Sequence, residues 1–459
     1  MSLHPLLLTL LTLLTLLTLL TLGPSPHAAP PNLLFILTDD LGIGDVSAYR
    51  AADVHTPHLD RLAGEGLRFT AMRANATVCS PTRAAILTGR YPDRVGVPGV
   101  IRTDPRDSWG WFDPATPTLA DHLRQAGYHT ALVGKWHLGL ASPNTPNERG
   151  FDHFHGFLGD MMDSYTRHLR HGHHYLRLNA DPIHPVGHAT DLFTQWAIDY
   201  IEDRAHTRDQ PFFLFLSYNA PHFPIEPPAD WLDRVRQRHP GLDEPRARNI
   251  AFVEHLDHGV GRVLDTLRRT GLHEKTLVVF TSDNGGSLPH AQNNDPWRDG
   301  KQSHYDGGLR VPFLARWPGT IEPGTLCTQP ALTFDVFPTF LELAALPLPN
   351  DLDAESLLPA FRGQPLTPSR EFYFVRREGG RYGGMSYHAL LRDGWKLVQN
   401  DPFSPLELYH LDVDPREEHN LAPTQPNQLR TLLAALRIHI QRAGSVPWQP
   451  PASPLPPPP

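Results

Sequence analysis

The chain has 459 residues, of which 40% are hydrophobic and 20% charged, as in a folded protein rather than a disordered one. Its formal net charge is −8 with neutral histidines, and no long basic run is present, so we expect no nucleic-acid partner. The length allows one large domain with a smaller one, or two domains of ordinary size.

The N-terminus has the pattern of a signal peptide. An apolar run over residues 6–22 is short for a membrane span and is followed by Gly23, Pro24 and two small residues, Ala28 and Ala29. No Lys or Arg precedes the run, and no cysteine directly follows it to carry a lipid anchor. We therefore predict that residues 1–29 are removed on export, that the mature protein is periplasmic or secreted, and that it has no stable membrane anchor.

Four short apolar runs each end at a polar cluster. Near-continuous apolar runs of this length are typical of strands buried on both faces of a parallel sheet. Amphipathic helical patterns lie between them, and this alternation predicts an α/β fold with a mostly parallel sheet. The runs cover residues 33–38, 130–134, 212–217 and 277–281, and the clearest helical patterns begin at Pro57 and cover residues 118–126, 191–204 and 247–269.

The polar clusters lie at the ends of the predicted strands, where ligands bind in sheets of this kind. Asp39 and Asp40 follow the first strand, and Asp283 and Asn284 follow the fourth. Each pair alone is as typical of a turn or a helix cap. Together they offer only oxygen atoms, which favours a hard cation, calcium or magnesium.

The other clusters supply cations and histidines. Lys135 and His137 are two residues apart, so on an extended segment they point the same way. With Arg83 and Lys301, they describe a pocket for a tetrahedral oxyanion, although a single Lys or Arg is more often a surface charge. His222 is a candidate proton donor to a leaving group, and a packed histidine is the alternative.

Cys79 is one of two cysteines in the chain. In an oxidising compartment a disulfide with Cys327 is the simple alternative. The sequence places Cys79 at the start of a helix, with Ser80 as a possible cap and Pro81 in the first turn, where a thiolate has a lowered pKa. A soft thiolate is a poor ligand for a hard cation that is bound by oxygen atoms, so an unmodified cysteine does not fit the predicted metal site.

Residues 79–90, CSPTRAAILTGR, closely resemble the signature of formylglycine-dependent (type I) sulfatases, in which the cysteine of C-x-P-x-R is oxidised to Cα-formylglycine during export. Thr82 replaces the serine commonest in this signature, and Asp306 stands where the family usually has Glu before Gly-Gly. Further matches follow in family order: LTDDLGIGD at 37–45, TPHLDRLAGEGLRFT at 56–70, GKWHLG at 134–139, NAPHFP at 219–224, TSDNGG at 281–286, GKQSHYDGGLRVP at 300–312, RDGWKLV at 392–398 and ELYHLDVDPREEHNLA at 407–422.

This resemblance implies an alkaline-phosphatase-like fold and hydrolysis of a sulfate ester, with a sulfated small molecule or saccharide as substrate and a formylglycine-generating enzyme as maturation partner. The implied metal is one calcium ion, with magnesium as the alternative, bound by Asp39, Asp40, Asp283, Asn284 and the formylglycine made from Cys79. In the implied roles, Arg83 and Lys135 hold the aldehyde hydrate and the sulfate, and Lys301 also holds the sulfate. His137 is the base for the hydrate. His222, together with Lys301, protonates the leaving oxygen.

The domain organisation follows from changes in pattern along the chain. We expect a catalytic domain over residues 30–365, a C-terminal subdomain over 366–449 with a small antiparallel sheet and a final helix, and a disordered proline-rich tail over 450–459. Two long segments, 97–111 and 157–175, are expected to line the mouth of the pocket.

Three alternatives stay open. A phosphatase, phosphodiesterase or phosphonate hydrolase would use the same fold, although dedicated phosphatases usually assemble two metals. A catalytically dead binding protein would be expected to have lost Cys79, Lys135, His137 or Lys301, and all four are present. The His-rich run at 167–175 is either a solvated loop or a metal-binding tract.

Overall fold

A computed structural model describes residues 30–382 and 387–451. The predicted signal peptide and residues 452–459 of the predicted tail lie outside the described residues. The strands are β1 (Asn32–Thr38), β2 (Leu67–Phe69), β3 (Met72–Arg73), β4 (His129–Lys135), β5 (His153–Phe157), β6 (Leu169–Arg170), β7 (His173–His174), β8 (Leu176–Leu178), β9 (Asp181–Pro182), β10 (Phe212–Ser217), β11 (Thr276–Ser282), β12 (Phe313–Arg316), β13 (Thr325–Cys327), β14 (Ala331–Leu332), β15 (Phe372–Val375), β16 (His388–Arg392), β17 (Trp395–Gln399) and β18 (Glu407–His410).

In the described part of the chain, ten strands form the main sheet, in the order β13-β2-β12-β11-β1-β10-β4-β5-β8-β9. Its centre, from β11 through β1, β10 and β4 to β5, is entirely parallel. Antiparallel strands flank this centre, β12 beside β11 and β8 beside β5. The predicted α/β fold with a mostly parallel sheet is confirmed.

The register brings the carboxyl ends of the four predicted strands to one level. Thr38 lies opposite Ser282, and Leu37 lies opposite Ser217. Ser217 lies opposite Gly134. Gly134 has a φ of +104°, and a Cβ atom there would lie 1.9 Å from the Ser217 carbonyl oxygen, so glycine is required where β4 meets β10. The polar residues that follow these strands therefore meet at one edge of the sheet.

The central strands are buried on both faces. In β1, Leu33, Phe35 and Leu37 belong to one hydrophobic core, and Leu34 and Ile36 to the other, because successive side chains of a strand point to opposite faces. The helices of the described residues are α1 (Pro57–Gly64), α2 (Cys79–Thr88), α3 (Leu119–Gln125), α4 (Ala189–Arg204), α5 (Ala229–Arg238), α6 (Glu244–Arg269), α7 (Asp306–Leu309), α8 (Val336–Leu343), α9 (Leu358–Phe361) and α10 (Pro426–Arg442). None of them has the length and apolar character that crossing a membrane requires.

Helix α2 begins at Cys79 itself, two residues earlier than it would if Ser80 were its cap. The predicted capping role of Ser80 is wrong, because its Oγ accepts the backbone N–H of Ile101 at 3.0 Å instead. Pro81 lies in the first turn, and Gly89 ends the helix with a φ of +63°. The helix therefore fixes the Cys79 side chain at its N-terminal end.

The C-terminal part has its own sheet, β15-β16-β17-β18, which is antiparallel throughout. Leu432 and Leu436 of α10 pack with this sheet in a third hydrophobic core. That core also includes Tyr91, Phe334 and Leu309 from the N-terminal part, so the small sheet packs directly against it. The predicted small antiparallel sheet with a final helix is confirmed, and the boundary at residue 365 stays a prediction.

Candidate active site

Cys79 lies at the edge of the main sheet where the polar clusters meet. Its side chain is buried, and Sγ donates to Asp39 Oδ1 at 3.2 Å. Burial raises the pKa of the thiol well above its usual value, and the charge of Asp39 raises it further. The lowered pKa expected for a helix N-terminus is therefore wrong for this residue. Cys327 is also a free cysteine, so the alternative of a disulfide is not realised.

Two carboxylates that follow β1 are paired with lysines. Lys135 Nζ donates to Asp39 Oδ2, and Lys301 Nζ donates to Asp40 Oδ2 at 2.7 Å. Burial alone would raise the pKa of Asp39, but the charge of Lys135, with smaller effects from its other neighbours, holds it well below its usual value. Burial alone would lower the pKa of Lys301, but Asp40 raises it. Asp39 therefore stays ionised and Lys301 stays cationic at neutral pH.

Arg83 connects the ends of three strands. Its Nε and Nη2 donate to Asp283 Oδ2 at 3.0 and 2.7 Å, and its Nη1 donates to Ser217 Oγ at 2.6 Å. Nη1 also lies 3.4 Å from the carbonyl oxygen of Lys135. Burial and the charge of Asp39 raise the pKa of Asp283 to about 7, against the effect of Arg83. The sequence did not identify Ser217 as a site residue, although it marked the end of a predicted strand.

The oxygen donors fit a hard cation. Asp283 Oδ1 accepts the backbone N–H of Asp40 at 3.2 Å, and Asn284 Nδ2 donates to Asp40 Oδ1 at 2.8 Å. Asn284 Oδ1 is buried and has no hydrogen-bond partner within the described residues, an arrangement that a bound cation would relieve. Four side chains of this region offer potential ligand atoms within 4.8 Å of one another: Asp39, Asp40, Cys79 and His222.

His137 lies beside Lys135, although the segment between them is not fully extended. Lys135 ends β4, and His137 has a φ of +63°, so the extended segment that we expected ends before it. Both side chains are buried. Burial, with the charges of Lys135 and Arg83, keeps the pKa of His137 well below its usual value, so the ring is neutral. His137 Nε2 donates to the carbonyl oxygen of Ile101 at 2.7 Å.

His222 faces Asp40 from the segment after β10. Its Nδ1 donates to the carbonyl oxygen of Phe223 at 2.7 Å, and its Nε2 lies 3.6 Å from Asp40 Oδ2. Burial and the charge of Lys301 lower the pKa of His222 to about 4. The structure thus brings His222 to the same site as the predicted cations and carboxylates.

Two residues that the sequence did not single out support the segment of His222. Tyr165 Oη lies 2.7 Å from the carbonyl oxygen of Asn219 and 2.9 Å from that of His222. Gln292 Nε2 donates to the carbonyl oxygen of Pro221 at 2.9 Å. Both supporting residues lie in long connecting segments, where no periodic pattern marks a buried contact.

The two segments predicted at the mouth meet each other. Thr103 Oγ1 and His171 Nδ1 are 3.4 Å apart. The His-rich run forms a short hairpin of β6 and β7, in which His171, His173 and His174 are exposed. This exposure agrees with the interpretation of the run as a solvated loop.

Comparisons with known proteins agree on one family. Residues 31–346 match the family model described as Sulfatase, and residues 296–443 match the one described as N-sulphoglucosamine sulphohydrolase, C-terminal. N-acetylgalactosamine-6-sulfatase of Canis lupus familiaris is 34% identical over 375 residues, covering 77% of this chain and 70% of the relative. Steryl-sulfatase of Rattus norvegicus is 31% identical over 540 residues, covering 91% of this chain and 90% of the relative.

Solved structures show the same architecture. The crystal structure of Ps i-CgsB in complex with k-i-k-neocarrahexaose has a TM-score of 0.83 and 28% identity, covering 92% of this chain and 95% of that one. Phosphonate monoester hydrolase SpPMH from Silicibacter pomeroyi, with a TM-score of 0.68 and 22% identity, shares the fold. Since the Sulfatase model spans well over half of the chain, and curated relatives above 30% identity cover most of it, the chain belongs to the sulfatase family and hydrolyses sulfate esters.

Proposed function

We propose that this sulfatase acts on a sulfated carbohydrate through a Cα-formylglycine made from Cys79, beside a bound calcium ion. The observation that carries the proposal is the environment of Cys79. Its thiol is buried, its pKa is raised, and carboxylates and cations surround it. A thiol that stays protonated is a weak nucleophile and a poor ligand for a hard cation. This environment supports conversion of the side chain before catalysis.

The aldehyde hydrate would supply two hydroxyl groups on one carbon, of which one attacks sulfur and the other, by losing its proton, lets sulfate leave. A serine or cysteine side chain has no second hydroxyl, so an ester formed on it would persist. The conversion requires a formylglycine-generating enzyme as maturation partner. We place this step during export to the periplasm or the exterior, which agrees with the signal-peptide pattern of residues 1–29.

The proposed metal ligands are Asp39, Asp40, Asp283, Asn284 and the modified Cys79, with calcium as the first choice and magnesium as the second. In the structure the carboxylates are neutralised by Lys135, Lys301 and Arg83. A divalent cation bound to the carboxylates would leave these three cationic side chains available for the anionic ester. Arg83 and Lys135 would then hold the nucleophile and the sulfate, and Lys301 the sulfate.

Two histidines would move protons. His137 donates Nε2–H to a carbonyl oxygen, so its Nδ1 carries the lone pair that accepts a proton. His222 donates Nδ1–H to Phe223, so its Nε2 is the atom available to the leaving oxygen. The pKa of His222 is about 4, so its ring is neutral at pH 7. The pKa of Lys301 is raised, so Lys301 is the protonated member of the pair that delivers the proton to the leaving oxygen.

The carbohydrate substrate class is supported by the relatives. Several are named N-acetylgalactosamine-6-sulfatase, and the structure of Ps i-CgsB was obtained with k-i-k-neocarrahexaose. The two segments meet near Thr103 and His171, and each contacts the site, one through the Ile101 carbonyl at His137 and the other through Tyr165 at the His222 carbonyl. They would select the ester.

The test compares the wild-type protein with the variants Cys79→Ser and Cys79→Ala, all produced with the maturation enzyme. The substrates are sulfated mono- and disaccharides, an aryl sulfate, a steryl sulfate and a phosphonate monoester. We expect the wild type to turn over a sulfated saccharide and both variants to lose about 1000-fold or more in kcat. Cys327→Ser, which changes the other free cysteine, should keep turnover. Full turnover by Cys79→Ser, or a wild type that prefers the phosphonate, would refute the proposal.

A further inference from the structure

One short segment, residues 98–102, touches the site on one side and the C-terminal subdomain on the other. The backbone N–H of Ile101 donates to Ser80 Oγ at 3.0 Å, next to Cys79. The carbonyl oxygen of Ile101 accepts Nε2–H of His137 at 2.7 Å. A single residue of this segment is therefore bonded both to the helix that carries Cys79 and to the candidate base.

The bond from Ile101 decides which nitrogen of His137 is basic. A carbonyl oxygen has no proton to give, so Nε2 carries the hydrogen and Nδ1 the lone pair of the neutral ring. Nδ1 is buried and has no hydrogen-bond partner among the residues that the structure describes. If the Ile101 carbonyl moved away, the ring would lose this preference between its two tautomers. The position of residues 98–102 thus matters to proton transfer.

The C-terminal subdomain holds this segment through Glu378. Its Oε1 accepts the backbone N–H of Val100 at 2.9 Å and Nη2 of Arg102 at 3.0 Å. Its Oε2 accepts Nη2 of Arg376. The Glu378 side chain is only 1% exposed, so water does not compete for these bonds, and charge-assisted bonds in such surroundings are strong.

Two further contacts fix the same segment. The backbone N–H of Arg377 donates to the carbonyl oxygen of Pro98 at 2.8 Å. The guanidinium of Arg102 lies 3.7 Å from the ring centre of Tyr382. Every one of these partners belongs to the C-terminal part of the chain, and Glu378 is the one that bonds both the backbone and a side chain of the segment.

We propose that Glu378 is a positioning residue for His137: through Val100 and Arg102 it fixes the Ile101 carbonyl, and this carbonyl keeps Nδ1 of His137 unprotonated and aimed for proton acceptance. The inference rests on the proposed function. His137 Nδ1 takes the proton of the hydroxyl that remains after sulfur transfer, the O–H electron pair becomes the C=O bond, and the C–O bond to sulfate breaks with its electrons on the sulfate. The C-terminal subdomain thereby takes part in the sulfate-releasing half of the reaction.

The test uses Glu378→Ala, which removes both acceptors, and Glu378→Gln, which keeps an oxygen for Val100 N–H. The first readout is the imidazole 15N spectrum of His137, assigned with His137→Gln. We expect one tautomer, protonated at Nε2, in wild type and Glu378→Gln, and mixed tautomers in Glu378→Ala. Amide hydrogen exchange of residues 98–102 should rise in Glu378→Ala alone.

The second readout follows the two products separately with an aryl sulfate as probe. In Glu378→Ala we expect kcat to fall about 10- to 100-fold with little change in KM, and the alcohol to appear in a burst before sulfate. Glu378→Gln should release both products together. The matched control is Glu417→Ala, since Glu417 is another buried glutamate of the C-terminal part that accepts a backbone N–H, that of Asp306 at 2.6 Å, away from residues 98–102.

A Glu378→Ala protein with the wild-type tautomer of His137, or with the same loss as Glu417→Ala in every readout, would overturn the inference. The proposed function fails on different evidence: a wild-type protein that lacks formylglycine and does not turn over sulfate esters. The His137 tautomer and the amide exchange could still be measured in that protein.

Discussion

Two buried atoms at the edge of the sheet, Asn284 Oδ1 and His137 Nδ1, have no hydrogen-bond partner within the described residues. An unpaired buried polar atom costs about 1–3 kcal/mol, so folding alone gives no reason to keep either one. The first is a suitable ligand for a hard cation, and the second is a suitable proton acceptor. The proposed roles in metal binding and proton acceptance explain why these two atoms stay unpaired although this lowers the stability of the fold.

Replacing Asn284 by Leu tests the metal site. The variant removes the unpaired oxygen at similar volume, so we expect calcium affinity to fall by about tenfold or more, or about 1.4 kcal/mol. Calorimetric titration of calcium-stripped protein measures it. Asn400→Leu changes an amide that bonds Tyr305 and Glu407 instead and should leave calcium affinity as it is. Equal affinities in wild type and Asn284→Leu would rule out Asn284 as a ligand.

At the scale of elements, the local pattern predicted strands better than it predicted helix ends. Each of the four apolar runs became a central strand, because burial on both faces leaves few other arrangements for such a run. Helix α1 shows the limit. Thr56 precedes it but makes no capping bond, and Asp257 of α6 accepts the N–H groups of His58 and Leu59 instead. A cap supplied from another helix leaves no mark in the local sequence.

Helix α10 offers a test of element packing. Leu436 is buried in the core of the C-terminal sheet, whereas Ile438 on the same helix is 58% exposed. Leu436→Ala should lower the free energy of unfolding by about 2–5 kcal/mol through lost burial and the cavity left behind, and Ile438→Ala by less than about 0.5 kcal/mol. Urea unfolding monitored by circular dichroism gives both values. Similar losses for the two variants would contradict the packing.

At the scale of the whole molecule, buried ion pairs join the two parts of the chain. Asp306 bonds Arg73 at 2.6 Å, and Lys396 from the C-terminal sheet at 2.8 Å. Asp306, which stands where the family usually has glutamate, therefore lies in this interface. Such contacts could not be predicted from the sequence, because partners like Glu378 and Val100 are 278 residues apart. By contrast, the meeting of the polar groups that follow β1, β4, β10 and β11 was predictable, because the parallel sheet aligns the carboxyl ends of these strands.

The pH dependence of unfolding tests the C-terminal sheet within the whole molecule. Burial and the charge of Arg377 lower the pKa of His388 to about 3, and its Nε2 accepts from Arg377 Nε at 3.1 Å, which an imidazolium cannot do. The unfolded chain therefore binds the proton first. The contribution of His388 to stability is complete above about pH 6.5 and is lost as the pH falls toward 3.

The measurement is the difference in free energy of unfolding between wild type and His388→Gln across this range. We expect the advantage of the wild type to shrink by about 1 kcal/mol per pH unit below pH 6.5. His171→Gln, at an exposed position, is the control. A difference that stays constant from pH 7 to pH 4 would count against a neutral, hydrogen-bonded His388.

In the proposed mechanism, Cys79 is the precursor of the group that attacks sulfur. Mass spectrometry of the tryptic peptide of residues 74–83, from active protein produced in its own host, detects this conversion. We predict that Cys79 has lost its sulfur and two hydrogens and gained one oxygen, as Cα-formylglycine requires, in proportion to turnover. A fully active protein whose peptide carries only the intact thiol would show that Cys79 reacts without conversion to formylglycine.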